Sequence, residues 1–249
     1  MKGMLSRIQL ALLVLLFVVL ALAAGGQVAV SRAGARSGTS GQKPLLSDDF
    51  DMAGSPRSSR WVTYRGKPRA TKGMLELDGA EVQSKDEFRY GVLEGVVYST
   101  DWISPDRFTD SSFGFEIWAG AKGQCHAGVV FKPSGHLGLL NATPDPDGNC
   151  TGDPVPGQEQ AYVEISNWKA VCASGRVKFV LSWLPDKVLL QVSDGGSNQG
   201  EALYSGPVLP DKPLRVRLYA HTFASGQADH FKIDSISLRA APGDPDAKP

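Results

Sequence analysis

Strict two-residue alternation of apolar and polar positions, repeated in segment after segment, most narrows the folds open to this chain. Val92, Glu94, Val96 and Tyr98 oppose Leu93, Gly95 and Val97; Phe113, Phe115 and Ile117 oppose Gly114, Glu116 and Trp118. The same beat recurs with Val177, Phe179, Leu181 and Trp183, with Val188, Leu190 and Val192, and with Leu214, Val216 and Leu218. Successive side chains of a strand point to opposite faces, so each run places one face in a core and the other toward solvent. Helical spacing hardly occurs between the runs. The intervening residues are turn formers such as Lys72-Gly73, Pro133-Ser134-Gly135, Asp145-Pro146-Asp147-Gly148, Pro185-Asp186-Lys187, Asp194-Gly195-Gly196 and Pro210-Asp211-Lys212. Many short strands without helices between them predict an all-β antiparallel sandwich.

The sandwich accounts for only part of the 249 residues. Residues 1–25 carry Lys2 and Arg7 ahead of an apolar run from Ile8 to Ala24, and Ala21-Leu22-Ala23 is a small-residue cleavage signal. Two readings stand, a secretory signal peptide or an uncleaved N-terminal membrane anchor; either makes the domain extracytoplasmic, whether secreted, periplasmic or tethered. Residues 26–44 are rich in Gly, Ser, Arg and Ala without an apolar period, as a flexible linker would be. Residues 45–240 form the expected domain, and 241–249 a disordered tail. The stretch from Asn141 to Gln160 has no period and reads as a long loop.

Charge excludes some partners. Without the two basic groups of the first 25 residues, 24 of the 26 basic groups face 26 acidic ones. That balance offers no basic stripe for nucleic acid and no polybasic membrane patch, so contact with a membrane would come only through the N-terminal segment. Cys125, Cys150 and Cys172 allow one disulfide and one spare thiol, with the pairing open, and their spacing is not that of a zinc site. Asn141-Ala142-Thr143 and Asn149-Cys150-Thr151 are glycosylation sequons, informative only in a eukaryotic source.

Several ordered segments carry a family resemblance. The domain opens with Ser47-Asp48-Asp49-Phe50-Asp51, then Trp61, then Gly73-Met74-Leu75-Glu76-Leu77. The string Gln83-Ser-Lys-Asp-Glu-Phe-Arg-Tyr-Gly-Val-Leu-Glu94 resembles a segment of laminarinase-type glucanases that leads into a core strand. Leu214–Tyr219 and Asp229–Leu238 resemble the closing strands of laminin-G-like and DUF1080-type jelly rolls. Together they are similar to the concanavalin A-like lectin and glucanase superfamily, which implies a jelly-roll β-sandwich.

In that superfamily the glucanases carry a nucleophilic and an acid/base carboxylate about 5–5.5 Å apart, placed on one strand as Glu-x-Asp-x-(x)-Glu. The only literal match here, Glu76-Leu77-Asp78-Gly79-Ala80-Glu81, precedes the Phe88-Arg89-Tyr90-Gly91 segment instead of following it. It reads as solvated charges on an early strand. At the family's position stands Phe113-Gly114-Phe115-Glu116-Ile117-Trp118-Ala119-Gly120, with Glu116 as its single acid. The glucanase acid motif is therefore missing, unless a partner acid arrives from another strand.

What remains is a surface for recognition. Sugars need aromatic platforms and fixed hydrogen-bonding groups. Glu116 with Trp118, Arg217 with Tyr219 and His221, and Tyr162 with Glu164 and Trp168 share faces by alternation. All of these except Trp168, which also reads as filling a satellite cluster, are the candidate ligand-binding residues of a concave sheet. His126 and His136 near strand ends read as solvated or backbone-bonded, and there is no G-x-S-x-G nucleophile elbow. No cofactor is expected, save that the resemblance implies a structural calcium ion for which Asp49, Asp51 and Asp234 are the candidate ligands. The leading expectation is a non-catalytic, exported module that binds polysaccharide or glycoconjugate. The alternatives are a glycoside hydrolase or lyase with atypical acids and a protein-contacting scaffold.

Overall fold

The computed structural model describes residues 43–99, 111–119, 125–141, 161–205, 213–221 and 229–241, and no side chains at 117–119, 125–127, 141 and 161. The chain divides into two compact units, Met1–Gln42 and Lys43–Pro249. The expectations of a signal or anchor at 1–25, of most of the linker, of the loop after Asn141 and of nearly all of the tail fall outside the described residues. Among those residues no helix is long and apolar enough to cross a membrane.

The second unit is built of strands. In chain order they are β1 (Leu46–Asp48), β2 (Trp61–Arg65), β3 (Arg69–Thr71), β4 (Met74–Asp78), β5 (Glu81–Phe88), β6 (Gly91–Tyr98), β7 (Ser112–Ala119) and β8 (Cys125–Lys132). There follow β9 (His136–Asn141), β10 (Ala161–Glu164), one short helix α1 (Trp168–Cys172), β11 (Arg176–Trp183), β12 (Lys187–Ser193), β13 (Gln199–Ser205), β14 (Leu214–Tyr219) and β15 (His230–Arg239). They form two sheets. An eight-stranded sheet runs β13-β12-β11-β6-β15-β4-β3, with β1 added on β15, and a seven-stranded one runs β10-β9-β8-β7-β14-β5-β2. The strand pairs are antiparallel.

The alternation decides which residues fill the space between the sheets. Phe113 meets Phe231 with ring centroids 5.2 Å apart, Phe131 meets Phe179 at 5.6 Å, and Phe115 meets Trp183 at 5.5 Å. Each pair joins a strand of one sheet to a strand of the other. All six side chains are buried, and burial of each such ring is worth about 2–3 kcal/mol. The architecture is the expected antiparallel jelly-roll β-sandwich.

Local sequence fixes the corners. Lys72 and Gly73 both adopt positive φ, 54° and 74°, the geometry of a two-residue hairpin turn between β3 and β4. The opening Ser47–Asp51 segment is held by Asp48. One of its carboxylate oxygens accepts from the Phe50 amide at 3.0 Å and the other from the Trp61 indole at 2.8 Å, both in buried surroundings. Asp48→Ala should leave two buried donors unsatisfied and lower stability by about 1–3 kcal/mol. Thermal unfolding monitored by Trp fluorescence checks this, and an unchanged midpoint would show the cap to be dispensable.

One sequence expectation changes. Trp168, expected on a strand with Tyr162 and Glu164, instead lies in α1 and is buried in the core beside Phe131 at 5.4 Å. Gly135 must be glycine for this, since a Cβ there would sit 2.4 Å from the Trp168 ring. Cys172 carries a free thiol, whose burial pushes its titration up. Cys150 and the side chain of Cys125 lie outside the described residues, and the expectation about their pairing with them.

Candidate functional site: a charged cluster on the seven-stranded sheet

Three adjacent strands build the cluster. Along β14, Tyr219 stands opposite Glu81 of β5 and Ser112 of β7, and Arg217 stands opposite Gln83 and Gly114. Directly opposed residues share a face of the sheet. Because Val82, Phe113, Phe115, Val216 and Leu218 turn into the core, their strand neighbours Glu81, Gln83, Ser112, Glu116, Arg217 and Tyr219 turn away from it.

Arg217 is the centre. Its Nε and Nη2 donate to the two oxygens of Glu81 at 2.9 and 3.1 Å, a bidentate pair, and its Nη1 donates to Glu116 Oε1 at 2.5 Å. Gln83 Nε2 donates to Glu81 at 2.9 Å, and Ser112 Oγ to Glu116 Oε2 at 3.2 Å. The Tyr219 ring lies beneath the guanidinium carbon at 4.2 Å. The three charged side chains are 1 % (Arg217), 4 % (Glu81) and 1 % (Glu116) exposed. Burial alone would push the arginine down, but the charges of Glu116 and Glu81 outweigh it and hold the guanidinium above its ordinary value. Neither carboxylate is a free acid, since each has a strong, short bond to the same cation.

The cluster continues toward the β2 edge. Arg65 Nη1 donates to the Tyr219 hydroxyl at 2.9 Å, and His221 Nδ1 lies 3.2 Å from the same oxygen. Burial raises the Tyr219 phenol, with Arg65 and Arg217 pulling the other way, so it stays protonated at neutral pH. The backbone N–H of His221 donates to Ser111 Oγ at 2.8 Å, and Ser111 in turn donates to the Asp229 carboxylate.

The expected ligand residues thus divide. Glu116, Arg217, Tyr219 and His221 come together, the first three buried and His221 half-buried. Tyr162 and Glu164 lie on the edge strand β10, three strands from β7, opposite Gly138 and His136. Tyr162 is 38 % exposed and stands edge-on to the His136 ring at 6.3 Å. His136 also meets Ser134 Oγ at 3.2 Å. Trp118 pairs with His126 across β7 and β8; both side chains lie outside the described residues.

Sequence reading missed Glu81. The sequence groups it with Glu76 and Asp78 as one solvated string, and two of the three behave so. Glu76 pairs with Lys232 and Asp78 with His230 on the outer face of the eight-stranded sheet. Gly79 and Ala80 then carry the chain across to the other sheet, so Glu81 begins β5 and reaches Arg217. The signal in the sequence is Gly79, a glycine between the two charged stretches that turns the chain with a positive φ of 56°. A second carboxylate thus reaches, from another strand, the guanidinium that Glu116 holds.

Two of the candidate calcium ligands, Asp49 and Asp51, share Arg57. Asp51 is held below the ordinary carboxylate range by its hydrogen bond to Arg57, which also faces Asp49 at 3.8 Å, while Asp234 lies where β15 slips register between Ile233 and Ile236. Among the described residues no three His, Cys, Asp or Glu side chains converge as metal ligands.

No protein-family model matches the sequence, and no curated protein matches it. Solved structures do match the fold. Porphyranase B from Zobellia galactanivorans aligns with a TM-score of 0.50 at 11% identity, over 80% of this chain and 93% of that one. A glycosyl hydrolase family protein from Mycobacterium fortuitum aligns at 0.48 and 13%, over 79% and 100%. A non-specific endo-beta-1,3(4)-glucanase from family GH16, crystallised with 1,3-beta-D-cellotriosyl-glucose, aligns at 0.48 and 11%, over 80% and 95%. Sheet order and likeness together show an all-β, antiparallel jelly-roll sandwich. At such identity the likeness concerns the fold, and function has to be argued from the site.

Proposed function

We propose that the chain is an extracytoplasmic, non-catalytic module that binds polysaccharide or glycoconjugate on the outer face of its seven-stranded sheet. One observation carries the reading: Arg217 ties down Glu81 and Glu116, the two acids that meet on the adjacent strands β5 and β7 flanking β14, so the paired acids that a glycosidase would keep free are spent on holding the sheet. The buried members Glu116, Arg217 and Tyr219 form the support. Direct ligand contact falls to the accessible Tyr162, Glu164 and His221, with Arg65 added and Trp118 as the aromatic candidate on β7. Tyrosine and tryptophan rings suit the apolar faces of sugars, while carboxylate, imidazole and guanidinium groups suit their hydroxyls. The N-terminal apolar run supports export.

The test is binding of the full chain to a polysaccharide array. Tyr162→Ala and Trp118→Ala are each expected to weaken the best ligand about tenfold, the worth of one lost ring-on-sugar contact of roughly 1.4 kcal/mol. Absence of binding to any polysaccharide would overturn the reading in favour of a protein-contacting scaffold.

A second reading has one observation in its favour. Glu81 and Glu116 converge on a single guanidinium from different strands, and a pair of acids on one face is what glycoside hydrolysis requires. An atypical hydrolase would have to release them from Arg217 during turnover.

A further inference from the structure

The eight-stranded sheet carries a feature that the reading above does not use. Across its outer face, direct pairing sets Arg69 of β3, Glu76 of β4, Lys232 of β15, Tyr98 of β6 and Arg176 of β11 in one row. Where that row meets the end of the sheet, a cavity of about 440 Å³ opens, lined by Tyr98, Glu76, Lys232, Asp78 and His230 with the Ser174-Gly175 turn as one wall. That volume lies within the range of about 300–1,000 Å³ typical of small-molecule sites.

We propose that this cavity is a second ligand site, separate from the seven-stranded face, which holds one pyranose unit of a neutral glycan. The Tyr98 ring is fixed from behind. The Arg176 guanidinium stacks on it at 5.8 Å, and its Nε donates to the Tyr98 hydroxyl at 3.2 Å, yet Arg176 does not line the cavity. The ring is thus braced by a cation while it lines the cavity, and a platform fixed in advance loses little entropy on binding. Beside the ring Lys232 donates to Glu76 at 2.9 Å, each compensating the other's charge, and His230 Nδ1 lies 3.1 Å from Asp78. These side chains present acceptors and donors together, which matches hydroxyl groups that both give and take hydrogen bonds. Asp78 and His230 keep 68 % and 58 % of their side-chain surface in water, so the mouth is open to a chain end.

The experiment is saturation-transfer NMR on the full chain with four neutral probes: cellotriose, laminaritriose, mannotriose and galactotriose. At least one is expected to bind, to go on binding when Tyr162→Ala and Trp118→Ala are combined, and to lose about tenfold or more in affinity in Tyr98→Ala. Tyr98→Phe, which keeps the ring, should stay within about threefold of the native chain. Binding that survives Tyr98→Ala, or that disappears when only Tyr162 and Trp118 are changed, overturns the proposal. So does absence of binding by all four probes. If Tyr98→Ala fails to fold, the exposed Asp78→Arg, which fills the mouth with a long cation, decides the matter, and unchanged affinity there overturns the site. The two sheets fail separately: loss in Tyr98→Ala with no effect of Tyr162 or Trp118 would keep this site and remove the other.

Discussion

Arg217→Met should destabilise the protein by about 3–5 kcal/mol, the cost of leaving buried charges without their partner. Both carboxylates lose their cation together, because Glu81 and Glu116 converge on that one guanidinium. Two further measurements separate this cause from simple loss of packing. The deficit should shrink as the medium is acidified, because protonation can neutralise a carboxylate that has lost its arginine. It should also shrink when Glu81→Gln and Glu116→Gln are added, since the triple variant buries no charge at all. Urea unfolding between pH 4 and pH 8 reads all three. A loss that is the same at every pH, and that the added substitutions do not relieve, would mean that the cluster contributes packing and little electrostatics.

The second large effect belongs to the joint between the sheets. Trp183 of β11 is almost wholly buried and packs against Phe115 of the opposite sheet at 5.5 Å and against Tyr90 at 5.4 Å. Its removal opens a large cavity at the end of the sandwich, and Trp183→Ala should cost about 3–5 kcal/mol. Its indole N–H has no hydrogen-bond partner among the described residues. Trp183→Phe, which removes that unsatisfied donor and keeps most of the ring, should therefore cost less than about 1.5 kcal/mol. A phenylalanine variant as unstable as the alanine one would show that the indole makes a specific contact rather than filling volume.

The fold was legible because its main determinant is local. In β11, β12 and β14 the residues that alternation sets on the apolar face, such as Phe179, Leu190 and Val216, are buried in the core. Turn chemistry was equally local, as the left-handed Lys72-Gly73 pair shows. The exception, α1, is a five-residue helix too short to impose a period, and Trp168 was accordingly placed on the wrong kind of element.

The site was less legible, for a physical reason. Alternation tells which residues share a face within a strand, and it correctly set Glu116 apart from Phe115 and joined Arg217 to Tyr219. It says nothing of which strands lie side by side. Glu81, Arg217 and Glu116 meet only because β14 lies between β5 and β7, an order created by long-range pairing of segments over a hundred residues apart. Apparent linear motifs can mislead for the same reason: Glu76, Asp78 and Glu81 are close in sequence, yet the crossing at Gly79-Ala80 assigns them to different sheets. Likewise, sharing a face with a candidate ligand did not distinguish a buried support such as Arg217 from an accessible contact such as Tyr162.

The central claim is that this jelly roll keeps its acids for structure and uses its surface for binding. The most direct test is to incubate the full chain at length with a polysaccharide that it binds and to follow chain length and new reducing ends by mass spectrometry. The account predicts a polysaccharide recovered intact. Cleavage by the native chain that vanishes in Glu116→Gln, with binding retained, would contradict it and make Glu81 and Glu116 the acid pair of a glycosidase.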